Sequence, residues 1–143
     1  MQSRKLLHST HRARNVRDRC QQILNWLIDV RPCGRPVSIR WVRWTNKDRK
    51  EDHACTDRYG RRLVISMNIP KCRTYASAID TLIHEYAHCG TWGMASLDST
   101  HFKKSDAQAE LDFHNSTYWA EFGSVYNMFH YLDGWLDSKQ YEF

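Results

Sequence analysis

The chain has 143 residues, of which 41% are hydrophobic and 13% aromatic. This length favours one domain over residues 1–143, and the aromatic content excludes a disordered chain. The formal net charge of +5 conceals an asymmetry, because residues 1–73 carry 18 Lys and Arg against 6 Asp and Glu, whereas residues 74–143 carry 3 against 10.

The chain opens with a predicted helix. Apolar residues recur at helical spacing over residues 10–30, and arginine and amide side chains fall largely off that stripe. The helix is expected to end before the segment RPCGRP, because Pro32, Gly34 and Pro36 interrupt the pattern there.

Strand-like segments follow this helix. Apolar and polar residues alternate in VSIRWVRW (37–44) and in RRLVISMNIP (61–70), which predicts two strands with one buried face each. The charged residues 46–60 are expected to form a loop with a short strand near 53–58. A turn at Tyr59-Gly60 would join that strand to the next one as a hairpin.

The second half returns to helical spacing. Residues 74–89 predict a helix that stops at Cys89-Gly90, and Ser105 begins the pattern of a helix N-terminus. From residue 111 onward the apolar spacing predicts a long C-terminal helix with a possible break at 114–117. The order helix, strands, helix, helix predicts an α+β fold with a small, mostly antiparallel sheet.

The sequence HEYAH at residues 84–88 carries the chemistry. On a helix, residues i and i+4 lie one above the other, so His84 and His88 can present two imidazoles to one metal ion. Glu85 is then close to the metal without binding it, where a carboxylate can act as general base. This pattern is typical of a zinc peptidase, and Zn²⁺ is the expected cofactor.

A catalytic zinc site needs a third protein ligand, and several downstream residues are candidates. His114 is the first choice, because it lies at an amphipathic segment that is expected to pack toward the motif helix. Glu110 is the second choice and His101 the third. The alternative for His114 is a core histidine that is hydrogen-bonded to the backbone.

These motifs resemble those of a known family. HEYAH, followed by the later block His114–Tyr126 with the form H-x-x-x-(F/Y)-W-x-x-(F/Y)-G-x-x-Y, is similar to the SprT-like zincin metallopeptidases, especially the small bacteriophage versions. The resemblance implies a zincin-like domain, peptide-bond hydrolysis, and His114 as the third zinc ligand with His84 and His88. It covers roughly residues 60–132.

The resemblance also implies how a protein or peptide substrate binds. Zincins hold the substrate as an extended strand along a sheet edge above the motif helix. Residues 63–69 are the candidate edge strand, with an interior strand as the alternative. Tyr118, Tyr126 and His101 are open candidates for the group that stabilises the oxyanion, and core packing is the alternative for the aromatic ones.

The basic half suggests a second partner. Arg40, Trp41, Arg43 and Trp44 mix charge with aromatic surface, as single-strand-binding proteins do, so nucleic acid is a possible partner. A solvated basic face is the alternative. A competing function follows from the same feature, namely a nucleic-acid-binding module in which the zinc is structural and Glu85 has no chemical role.

Location is predicted from what the sequence lacks. No run approaches the roughly eighteen apolar residues of a membrane span, and the basic N-terminus has no apolar stretch of signal-peptide length. The five cysteines are scattered without a CxxC pair, which indicates reduced thiols. We therefore expect no membrane partner and a cytoplasmic location, in the host cytoplasm if a phage encodes the chain.

Overall fold

A computed structural model of the chain describes residues 15–92 and 114–129. The described residues form an α+β structure with three helices and a three-stranded sheet, which confirms the predicted fold class at this level. The elements in chain order are α1 (Val16–Val30), β1 (Val37–Val42), β2 (Ala54–Tyr59), β3 (Arg62–Asn68), a 3-10 turn (Ile69–Lys71), α2 (Tyr75–Gly90) and α3 (Ser116–Asn127). None of the described helices is both long enough and apolar enough to cross a membrane.

Each helix begins at a polar side chain that accepts a backbone N–H group. The caps of α1, α2 and α3 are Asn15, Thr74 and Asn115, with oxygen-to-nitrogen distances of 2.9, 3.1 and 3.0 Å. A cap satisfies one of the amides that the first turn of a helix leaves unpaired, so it fixes where the helix begins. The Asn115 cap matters most for the site, because His114 immediately precedes it.

The predicted helices are found, with shifted ends. Within the described residues the first helix spans 16–30, where 10–30 was expected, and the motif helix spans 75–90, where 74–89 was expected. The third helix begins at Ser116, so the chain has the start of a helix where the sequence suggested a break near 114–117. Residues 111–113, the helix expected at Ser105, and the chain beyond residue 129 lie outside the described residues.

The sheet has the order β1-β3-β2 and is mixed. Strands β2 and β3 form the predicted hairpin, in which Tyr59 pairs with Arg62 and Gly60 takes a positive φ of 64° in the two-residue turn. Strand β1 is parallel to β3, with Val37 opposite Leu63. The expectation of a mostly antiparallel sheet was wrong, because the hairpin returns β3 into the gap between β1 and β2.

Strand β3 is therefore the central strand, and the prediction of residues 63–69 as an edge strand was wrong. Its alternating pattern suggested one buried face, but Val64, Ser66 and Asn68 are buried as well. The Asn68 amide donates to the carbonyl oxygens of Lys50 and Asp52, at 3.2 and 2.7 Å. These bonds hold the segment before β2 across the second face of the sheet.

The hydrophobic core lies between the other face of the sheet and the helices. Helices α1 and α2 pack against each other and against the strands, and α3 packs on α2. The largest fully buried side chains are Ile23, Leu24, Leu27, Leu63, Ile65, Met67, Leu82, Ile83, Tyr86, Tyr118 and Phe129. This packing leaves one side of α2 facing β2 and the start of α3, and that side carries His84, Glu85 and His88.

Candidate metal centre

Helix α2 presents the first two histidines as the motif predicts. His84 and His88 lie one turn apart, with ring centroids 5.1 Å from each other. Leu82, Ile83 and Tyr86 face the core and are fully buried, so they fix the rotation of the helix about its axis. The amphipathic pattern of the sequence therefore determines which side of the helix the two imidazoles occupy.

The third histidine comes from the turn before α3. The Nε2 atom of His114 lies 3.2 Å from the Nε2 atom of His84 and 3.2 Å from that of His88. Three nitrogens bound tetrahedrally to one zinc ion at 2.0–2.1 Å are separated by about 3.3 Å. The three histidines are thus positioned to hold a metal ion.

The donor chemistry of this cluster also fits a cation. A neutral imidazole nitrogen is either a donor or an acceptor, so a single proton on the Nε2 atom of His114 can serve one of its two neighbours but not both. A cation between the lone pairs removes that conflict. Burial, together with His84 and His114, lowers the pKa of His88 to about 3, so His88 stays neutral as a metal ligand must.

Glu85 lies beside the cluster in a buried position. Its side chain is 8% exposed, and its Oε2 atom is 3.9 Å from the Nε2 atom of His84. The hydroxyl of Thr56 in β2 donates to its Oε1 atom at 2.8 Å. Burial raises the pKa of Glu85 to about 7, against the opposing effect of the Thr56 hydrogen bond.

Tyr118 supports the histidines from α3. Its ring stacks on His88 with the centroids 4.3 Å apart, and its hydroxyl donates to the backbone carbonyl of His84 at 2.9 Å. Tyr118 is fully buried, so in this structure the hydroxyl that was an oxyanion candidate holds the motif helix instead. Tyr126 lies two turns further along α3 and is 36% exposed.

Two cavities meet at His84 and Glu85. One has a volume of about 220 Å³ and is lined by β2, Trp92 and the three histidines. The other has a volume of about 380 Å³ and carries Asp52 and Asp80 on its walls. The smaller cavity runs along Ala54–Thr56 of β2, an edge strand of the described sheet, and the larger one reaches only Ala54 of that strand.

The sequence identified the three histidines, Glu85 and Tyr118, but not every residue around them. The structure brings His114 to His84 and His88. The candidates Glu110 and His101 lie outside the described residues, and Glu121, a further candidate, pairs with Arg31. Thr56 and Trp92 were missed. Thr56 stands in a charged segment that gave only a weak strand pattern, and nothing in its local sequence points to Glu85 across 29 residues.

Comparisons of the chain with models of protein families, with curated proteins and with solved structures found no match. The resemblance to SprT-like peptidases therefore rests on the motif residues alone.

Proposed function

We propose that this chain is a zinc-dependent metallopeptidase of the SprT-like zincin type. In this proposal His84, His88 and His114 hold the metal, and Glu85 is the general base. The observation that carries it is the convergence of three imidazole nitrogens beside a buried carboxylate and an open cleft, with the Nε2 atom of His114 3.2 Å from those of His84 and His88. Catalytic zinc sites combine three protein ligands with one open position in this way.

Zinc is the metal that this ligand set fits best. Imidazole nitrogen also suits copper, iron and nickel, but three protein nitrogens at tetrahedral spacing are the usual donors of catalytic zinc. When it is bound, zinc polarises a carbonyl group and brings the pKa of a coordinated water to about 7. The histidines contribute by staying neutral and by holding their Nε2 atoms in place.

Glu85 would move the proton. Thr56 occupies Oε1, so Oε2 is the oxygen that faces the histidines and can take a proton from water. Next to a divalent cation the carboxylate is ionised at neutral pH, and its burial keeps its proton affinity high enough to pass the proton on to the leaving amine. The buried position of Glu85 thus suits both halves of the transfer.

The substrate would bind along β2. This strand is an edge of the described sheet, and its residues 54–56 line the smaller cavity at the histidines. An extended peptide can add to such an edge through backbone hydrogen bonds, which give affinity without demanding a particular sequence. Strand β2 therefore takes the role that the sequence had suggested for residues 63–69.

The test compares Glu85→Gln with the wild type. Zinc-loaded Glu85→Gln should bind one zinc ion per chain, as measured by elemental analysis, yet hydrolyse an unfolded protein such as casein about 10²- to 10⁴-fold more slowly. His114→Ala, in contrast, should lose zinc affinity in addition to hydrolysis. Glu51→Gln is the matched control, because Glu51 is exposed and pairs with Lys71 at 2.7 Å. Full activity in Glu85→Gln would disprove the mechanism.

The competing function is a nucleic-acid-binding module with structural zinc. Structural zinc sites are usually closed by four protein ligands and are rich in cysteine. Among the described residues the cluster has three members, all histidine, and Cys89 next to His88 is buried in the core. Zinc binding without hydrolysis by the wild type would favour this alternative.

A further inference from the structure

The smaller cavity at the histidines has two walls that neither bind the metal nor carry the proton in the proposed chemistry. One wall is the segment Ala54–Thr56 of β2, and the other is Trp92. The three histidines and Glu85 form the rest of the described lining. A group that enters this cavity would lie directly beside the metal centre.

Trp92 is held in place by the end of α2. The side chain of Thr91 donates to the carbonyl oxygen of Ala87 at 2.9 Å, and the Trp92 amide donates to that of Cys89 at 3.4 Å. The Trp92 side chain also packs against the hydrophobic core. An indole has two rotatable bonds, so a tryptophan held in this way offers a large surface with little entropy left to lose.

The size and chemistry of the cavity select its occupant. Its volume of about 220 Å³ exceeds the roughly 150 Å³ of an apolar cavity that binds benzene. The Ala54 methyl group and the Trp92 indole supply apolar surface. The larger cavity on the other side of His84 differs, because Asp52 and Asp80 line it.

We propose that Trp92 and Ala54–Thr56 form a subsite for an aromatic or large aliphatic side chain next to the metal centre. Its ligands are metal-binding compounds that carry such a group. If the chain is a peptidase as proposed above, this subsite places cleavage beside a bulky apolar residue of the substrate. Trp92 is then the residue that determines specificity.

The binding test uses two hydroxamates that differ in one substituent. Calorimetry on the zinc-loaded wild type should show that phenylacetohydroxamate binds about ten- to a hundredfold more tightly than acetohydroxamate, because its phenyl group is removed from water. Trp92→Ala should bring the ratio of the two affinities close to one, mainly by weakening phenylacetohydroxamate and with much less effect on acetohydroxamate. Trp44→Ala is the matched control, since Trp44 lies under the Arg49 guanidinium, 4.4 Å away, and is not among the described residues that line either cavity.

Trp92→Leu covers the case in which the alanine variant does not fold, and it should lower the ratio by a smaller factor. An unchanged ratio in the folded variants, or no binding of either probe, overturns the subsite. Peptide hydrolysis separates the two proposals. If peptides are cleaved with no preference for an apolar residue beside the cleaved bond, the subsite is refuted and the peptidase proposal stands. If the ratio of hydroxamate affinities depends on Trp92 but no peptide is hydrolysed, the peptidase proposal is refuted and the subsite stands.

Discussion

The hydroxyl of Thr56 controls which oxygen of Glu85 is available. It donates its single proton to Oε1 of the carboxylate at 2.8 Å and lies 3.4 Å from the Glu85 backbone oxygen, so it joins β2 to α2 through the carboxylate. A hydrogen bond to a carboxylate is stronger than a neutral one, and it orients the group as well as stabilising its charge. Thr56 is therefore a positioning residue for the proposed base.

Thr56→Val should lower kcat about ten- to a hundredfold with little change in KM, because valine keeps the shape of the side chain but leaves Glu85 unoriented. The hydrogen bond lowers the pKa of Glu85, so its loss should raise that pKa and move the acidic limb of the pH–rate profile to higher pH. Thr56→Ser should restore both properties. The control is Thr45→Val in an exposed loop, and an unchanged kcat in Thr56→Val would contradict the role.

Spacing along one helix explains how far the site could be predicted. The i, i+4 relation brings His84 and His88 together without any knowledge of the rest of the fold. His114 is 26 residues further along, so its approach depends on how α3 packs, and the sequence could only rank it first among alternatives. Thr56 enters the site through a tertiary contact across 29 residues, which no local pattern records.

At the level of elements, a clamp of polar contacts holds the three helices together. Arg31, just after α1, donates two hydrogen bonds to the Glu121 carboxylate in α3, at 2.7 and 2.8 Å. The Tyr86 hydroxyl in α2 donates to the Arg31 carbonyl at 2.6 Å. Gly90 at the end of α2 leaves room for Glu121. The clamp fixes α3, and with it the turn that carries His114.

Gly90→Ala should lower the free energy of unfolding by about 1 kcal/mol, although alanine is the better helix former. A Cβ atom at Gly90 would lie 2.8 Å from Oε2 of Glu121 and would disturb its paired bonds to Arg31. In a Glu121→Ala background the same change should instead stabilise by about 0.5–1 kcal/mol.

Gly123→Ala in α3 is the matched control for this experiment. Nothing lies within 4 Å of a Cβ atom at Gly123, so the change should stabilise by about 0.5–1 kcal/mol. Urea unfolding gives all these values. Stabilisation by Gly90→Ala in the wild-type background would show that Glu121 moves aside without cost, and the clamp would then contribute nothing measurable.

The elements themselves were easier to predict than their arrangement. Local patterns predicted helices at residues 10–30 and 74–89 and a hairpin turn at Tyr59-Gly60, close to the observed helices at 16–30 and 75–90 and the positive φ of Gly60. The order of the strands depends instead on where the hairpin docks, and the alternation in β3 resembles that of a strand with one exposed face. Gly90 shows a similar limit, because the sequence indicated only that the helix stops there, whereas the structure shows that this glycine also makes room for Glu121.

At the level of the whole molecule, basic and aromatic side chains lie together on β1 and in the segment that follows it. Strand β1 is the sheet edge opposite β2. The guanidinium of Arg17 lies 5.5 Å from the ring centroid of Trp41, and that of Arg49 lies 4.4 Å from that of Trp44. Arg40 and Arg43 are exposed nearby. We propose that this basic surface contacts single-stranded nucleic acid, independently of the metal centre.

The salt dependence of binding tests this proposal. Affinity for a single-stranded DNA oligonucleotide should fall as salt rises, with a log–log slope of about −0.7 for each phosphate contacted. The double variant Arg40→Gln/Arg43→Gln should reduce that slope by about 1.4 if both residues contact phosphate. Arg61→Gln/Arg62→Gln at the exposed hairpin removes the same charge and should leave the slope unchanged. An equal reduction of the salt slope in the two double variants would assign the binding to net charge rather than to β1. Binding that is insensitive to salt would exclude the electrostatic contact altogether.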